Sequence, residues 1–227
     1  EGPHGPIPLR LVRPKGAARD AVLPVLVYFH GGGWVIGDLD THDTLCRQLA
    51  IASGCVVVSV DYRMGPEHPF PAAPDDCEAA ARWVASSPPE LGREVTGLVI
   101  TGDSAGGNFA AVTALYARDA GIPLAAQLLL YPATDLSRLK GIPEQCYLGE
   151  QIATAALDPR ASPAKAPTLS GVAPAIIGVG VHDFLYTDNM AYAKALQAAC
   201  VPVLLRQYAD LNHGFFSFCA ISARVGG

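Results

Sequence analysis

The run Thr101-Gly102-Asp103-Ser104-Ala105-Gly106-Gly107 constrains this chain more than any other, because it sets a serine between glycines directly after the apolar stretch Gly97-Leu98-Val99-Ile100. A buried strand that reverses sharply into a helix brings backbone against backbone, and residues without bulk at the two flanking positions permit that approach. Such a turn lifts the serine oxygen out of the sheet at the head of the following helix. A Gly-x-Ser-x-Gly pattern also arises by chance, so the reading depends on its company.

Upstream, Val25-Leu26-Val27-Tyr28-Phe29 reads as a buried strand that runs directly into His30-Gly31-Gly32-Gly33-Trp34. Taken alone, three glycines can be a turn that relieves crowding. Beside a nucleophile elbow they are also unshielded amides, and acyl transfer needs N–H donors aimed at the oxygen that becomes negative. Gly32 and Gly33, with the amide of Ala105, are assigned to that hole. A serine hydroxyl further needs a base to take its proton and an acid to orient the base. Hydrolases built on this elbow carry the three in the order serine, acid, histidine, and only His182 and His213 lie beyond Ser104. His213 sits in a polar loop after the strand-like Val203-Leu204-Leu205-Arg206-Gln207-Tyr208, whereas His182 and Asp183 share a strand end. Neighbouring strand residues point to opposite faces, so these two do not enter one site together. Asp183 is therefore assigned as the orienting acid, His213 as the base and Ser104 as the nucleophile, with His182 a structural neighbour.

These motifs occur with a further one, Asp61-Tyr62-Arg63-Met64-Gly65-Pro66-Glu67-His68-Pro69-Phe70-Pro71-Ala72-Ala73, and with His213-Gly214-Phe215-Phe216. Together, and over nearly the whole chain, they resemble the hormone-sensitive-lipase-like esterases, bacterial family IV of the α/β-hydrolase superfamily. The resemblance implies hydrolysis of small, short-acyl carboxylic esters, no cofactor and frequently a homodimer. Position by position, it supports the same triad and the same three oxyanion donors. Amide or lactone hydrolysis by the same triad, and a non-catalytic small-molecule receptor on the same scaffold, are the alternative readings.

The chain's rhythm suits that fold. Strand-like runs near 22–29, 55–60, 97–101, 125–131, 175–181 and 203–208 alternate with helical stretches, as in a mostly parallel sheet covered by helices on both faces. Helices are expected over 44–52, 74–85 and about 105–120. Another runs through 190–196, capped by Thr187 or Asp188. Residues 1–227 then form a single catalytic domain. The expected cap region is reduced or missing, and the short, Pro-rich segment 136–173 reads as its remnant.

The remaining residues have structural readings beside functional ones. Trp34 either walls the substrate pocket or packs under the glycine turn, and Phe215 is a tentative substrate contact that is equally a core aromatic. Asp103 serves structural hydrogen bonding or has a catalytic part, Glu67 and His68 belong to a packed loop between prolines, and His4 and His42 are surface or packing residues.

A net charge of −5 with scattered basic residues leaves no footprint for nucleic acid. No apolar run reaches the ~18 residues that cross a bilayer, and the opening residues lack signal-peptide character. His and Cys never recur at zinc-site spacing, so no metal is expected. Cysteines 46, 55, 77, 146, 200 and 219 read as reduced core residues, which places the protein in the cytoplasm.

Overall fold

A computed structural model describes residues 2–18, 20–92 and 94–218. Seven strands form one sheet: β1 (Leu9–Val12), β2 (Val25–Phe29), β3 (Val56–Val60), β4 (Leu98–Asp103), β5 (Ala126–Leu130), β6 (Ala175–Gly180) and β7 (Val203–Tyr208). Their order across the sheet is β1-β3-β2-β4-β5-β6-β7. Every pairing is parallel except that of β1 with β3. The chain runs outward from β2 to β3, then crosses back to β4 and continues to the other edge. The carboxyl ends of β2 and β4, adjacent at this reversal of direction, are where such sheets place ligands.

Helices α1 (Asp43–Ser53), α2 (Ala72–Ala85), α3 (Ala105–Asp119), α4 (Ile142–Leu148), α5 (Ile152–Ala155) and α6 (Tyr186–Ala198) complete the architecture. Alternation along β2 explains the layering. Val25, Val27 and Phe29 join Ala80, Ala81, Phe109 and Leu196 in one core on the face covered by α2, α3 and α6. Leu26 and Tyr28 face the other way and pack with Leu45, Cys46 and Leu49 of α1. Both faces are thus covered, which is why the central strands read as unbroken apolar runs. Among the described residues, no helix is long and apolar enough to cross a membrane.

The six strands expected from the sequence are present, with β1 in addition. It is a four-residue antiparallel edge strand between prolines, too short to stand out as an apolar run. Helix α6 differs from expectation at its start. Leu185 occupies the cap position, and Asp188 lies within the first turn. The Asp188 carboxylate accepts the Thr134 N–H at 2.6 Å instead, tying α6 to the chain that leaves β5. The loop Pro66-Glu67-His68-Pro69 turns tightly, with the His68 N–H donating to the Met64 carbonyl at 2.9 Å. The Glu67 and His68 side chains nevertheless face solvent, a correction to their reading as packed residues.

The strand-to-helix reversal at Ser104 is as tight as the sequence requires. Ser104 itself holds φ 54° and ψ −116°, backbone that L-residues rarely adopt. A Cβ on Gly106 would overlap the Phe29 carbonyl, and one on Gly102 would lie 2.6 Å from that same oxygen. No side chain at either position escapes, because the obstruction is backbone. Gly106→Ala is expected to lower folding stability by more than about 2 kcal/mol, measurable by urea unfolding. An unchanged midpoint would show that the contact is not close.

Candidate active site

Strand ends deliver each side chain of the site. Ser104 projects from the elbow after β4, its amide held by the Leu130 carbonyl at 2.9 Å. Its Oγ lies 2.8 Å from His213 Nε2. His213 Nδ1 in turn lies 2.9 and 2.8 Å from the two carboxylate oxygens of Asp183. A carboxylate can only accept, so Nδ1 carries the proton and Nε2 is left to receive one from the serine hydroxyl. Asp183 is completely enclosed, and its Oδ1 also accepts the Leu185 N–H at 2.7 Å. That extra donor fixes the carboxylate at the mouth of α6. His182, its neighbour, is exposed; both residues lie in the turn beyond β6 rather than in the strand, so the turn and not strand alternation separates them.

The loop bearing His213 depends on a glycine in β6. A Cβ at Gly180 would collide with the carbonyl of Leu211, and the His182 N–H bonds that same carbonyl at 3.2 Å. The His213 ring then packs against Tyr131 and Phe184, at centroid distances of 4.8 and 4.5 Å.

Opposite the histidine stands the glycine turn. The Gly31 N–H donates to Asp103 Oδ1 at 2.9 Å, and the Tyr28 hydroxyl donates to the same oxygen. With the Gly31 amide committed, Gly32 and Gly33, at φ 127° and 59°, are the turn residues at the cavity wall. Both dihedrals lie in the left-handed range that glycine adopts freely. Ala105 is the first residue of α3, where amides lack intrahelical acceptors and the helix dipole is positive. Asp103 thus has the structural hydrogen-bonding role expected of it, and it locks the turn to the elbow.

Behind the turn, His30 is fully buried, stacked on Tyr62 at 4.4 Å. Its Nδ1 lies 2.8 Å from the Gly31 carbonyl, an acceptor, so Nδ1 carries the proton. Burial holds the His30 pKa below the ordinary histidine value, with neighbouring His42 acting in the same direction.

A cavity of about 520 Å³ opens over Ser104 between these groups. Trp34 satisfies both of its readings: it reaches the cavity wall, yet it is buried and stacks on Tyr147 at 5.4 Å. Phe215 is a core aromatic, edge-on to Tyr131 at 5.0 Å and beside Tyr208, and does not line the cavity. Phe184, 71% exposed, lines the wall instead. Its position directly after Asp183 was the available signal. His42, read as a surface or packing residue, also lines the cavity, its Nε2 4.0 Å from Asp103 Oδ1. No sequence pattern links it to the site, because it arrives through the loop that closes over His30. Among the described residues, no group of three His, Cys, Asp or Glu side chains could hold a metal ion.

Two outcomes follow from this geometry. Asp103→Ala frees the glycine turn and is expected to lower kcat about tenfold or more while KM changes less, read from steady-state kinetics. A kcat within twofold of the parent would contradict that role. The depressed His30 pKa means that the unfolded chain takes up this proton first as pH falls. Its contribution is therefore undiminished above the unfolded value of about 6.5 and declines below it. Urea unfolding between pH 7.5 and 5.5 should show a decline that His30→Gln reduces, by up to about 1.4 kcal/mol per pH unit. Parallel slopes in the two proteins would contradict it.

Comparison with known proteins agrees with this architecture. A family model described as the alpha/beta hydrolase fold matches residues 26–217. The chain is 41% identical to the esterase LipI of Mycobacterium tuberculosis over 240 residues, covering 97% of this chain and 74% of the relative. It is 43% identical to the carboxylesterase NlhH of the same organism over 235 residues, covering 95% and 73%. Among solved structures, a hyperthermophilic esterase from the archaeon Pyrobaculum calidifontis superposes with a TM-score of 0.86 at 39% identity, covering 99% of this chain and 79% of that one. A thermostable esterase from Pseudomonas putida superposes at 0.85 with 38% identity, covering 96% and 74%. The chain belongs to the α/β-hydrolase fold family, in its hormone-sensitive-lipase-like branch.

Proposed function

We propose that the chain is a serine carboxylesterase acting on small, short-acyl esters. The observation that carries this reading is the Ser104 Oγ, 2.8 Å from a His213 nitrogen whose opposite side is bound to the enclosed Asp183. In the first half-reaction Oγ attacks the ester carbonyl carbon as its proton passes to His213 Nε2. The negative oxygen of the tetrahedral intermediate is held by the amides of Gly32, Gly33 and Ala105. The intermediate collapses with cleavage of the carbon–oxygen bond to the alcohol, which leaves with the proton from His213. Water then attacks the acyl-serine, gives a proton to His213, and the acid departs as Oγ is reprotonated. Asp183 keeps the imidazole in the tautomer both halves require. The enzymes named esterase and carboxylesterase among the relatives support this chemistry.

The modest cavity favours short acyl groups, and residues 136–173, which carry α4 and α5, act as a small remnant of a cap over it. Cys46, Cys55, Cys77, Cys146 and Cys200 are all free thiols. Burial pushes the Cys46 thiol up to about 11 and holds that of Cys77 well above its ordinary value. Unpaired thiols fit a reducing compartment such as the cytoplasm, although Cys200 is exposed and Cys55 and Cys146 are half-buried, a correction to their reading as core residues. Strand β7, which among the described residues pairs only with β6, offers the edge for a homodimer.

Turnover of p-nitrophenyl esters from acetyl to palmitoyl is expected to peak at short chains and to fall by about 10⁴-fold or more in Ser104→Ala. Full activity in that variant would remove serine from the mechanism. Sedimentation equilibrium is expected to give twice the chain mass, and a monomer would exclude the β7 pairing.

A further inference from the structure

Glu144 stands in the wall of the cavity over Ser104, and the triad makes no use of it. It is the third residue of α4, only 9% exposed. Its Oε2 is buried without a hydrogen-bond partner. A glutamate at this place in a helix can satisfy itself by reaching back to the amide at the cap. Here Oε2 turns back to Gly141, close to where a Cβ would stand and closed to solvent, yet makes no hydrogen bond, so its charge bears on the cavity from within the wall. A carboxylate left short of donors in an apolar wall is costly unless a cation or donor meets it there.

The described residues around the cavity supply no such cation. Among the described residues, no Lys or Arg lines it. The other carboxylate at its wall, Asp103, is already engaged by Tyr28 and Gly31. The histidines at the wall are His42, beside Asp103, and His213, bound to Asp183. Phe184, 71% exposed, contributes aromatic surface whose ring face attracts positive charge, with the buried rings of Trp34 and Tyr131 behind the wall. A negative group and aromatic rings without a competing cation form the surroundings that select an ammonium ion over its neutral isostere.

We infer that Glu144 determines specificity, and that the cavity favours carboxylic esters bearing a protonated or quaternary amine. This rests on the esterase reading and adds the substrate class to it. Esters lacking a charge remain substrates, because the triad and oxyanion donors act on the carbonyl alone.

The test compares kcat/KM for acetylcholine with that for 3,3-dimethylbutyl acetate, which replaces the ammonium nitrogen by carbon at nearly the same shape. The parent protein is expected to favour the cationic ester by about tenfold at low ionic strength, with the ratio shrinking as salt screens the charge. Glu144→Gln should bring the ratio close to one. Any general loss from disturbing α4 affects both esters and cancels in the ratio. A parent ratio at or below one, or a raised ratio that survives Glu144→Gln, would overturn the inference. Calorimetric binding of choline against 3,3-dimethylbutan-1-ol, in both proteins, reads the same preference without turnover. Failure to hydrolyse either ester would count against the esterase reading alone, and the binding pair would then decide the role of Glu144.

Discussion

The contact on which the rest depends is that of the first turn of α3 against the carboxyl end of β2. Gly102 and Gly106 lie so close to the Phe29 carbonyl that neither position has room for a Cβ. This contact places the serine at the end of one central strand beside the glycine turn at the end of its neighbour. The proposed nucleophile and oxyanion donors are therefore positioned by sheet register and backbone packing rather than by flexible side chains. A strained φ of 54° at Ser104 is maintained because the parallel pairings of β4 on both sides and the helix beyond it hold the turn.

Two buried aspartates then divide the electrostatic work. Asp103 accepts from Tyr28 and the Gly31 amide, and so couples the elbow to the oxyanion turn. Asp183 accepts from the Leu185 amide and the His213 ring, and so couples the base to the start of α6. In both cases a backbone amide fixes one oxygen of the carboxylate. Hydrogen bonds of this charge-assisted kind offset the cost of taking the carboxylate out of water, which is why each sits at a strand end where free amides are available.

The central parallel strands were legible because they are covered on both faces and therefore read as continuous apolar runs, whereas β7 at the edge is largely exposed. Strand β1 was not, being short and at an edge, where the pattern of one covered face extends over only four residues. Ser104, Asp183 and His213, which the structure brings within hydrogen-bond reach of one another, could be singled out because chain order restricts the choice before any geometry is known. The cavity wall could not be read in this way. His42, Phe184 and Glu144 come from three separate loops and helices, and nothing in their local sequence registers that they meet. Phe215 and Phe184 illustrate the limit: both flank a triad residue, and only the course of each loop decides which faces the cavity and which enters the core. The Asp188 cap expectation failed for a related reason, since a distant amide, that of Thr134, took the carboxylate that local chemistry would have given to the helix.

The central claim is that Ser104 is a nucleophile activated through His213. Covalent labelling with diethyl p-nitrophenyl phosphate, followed by peptide mapping in a mass spectrometer, tests it most directly. The serine oxygen displaces p-nitrophenolate from phosphorus and stays bonded to it. The account predicts one diethylphosphoryl group per chain, on Ser104, formed far more slowly in His213→Ala. Labelling of another residue, or equal labelling rates with and without the histidine, would contradict it.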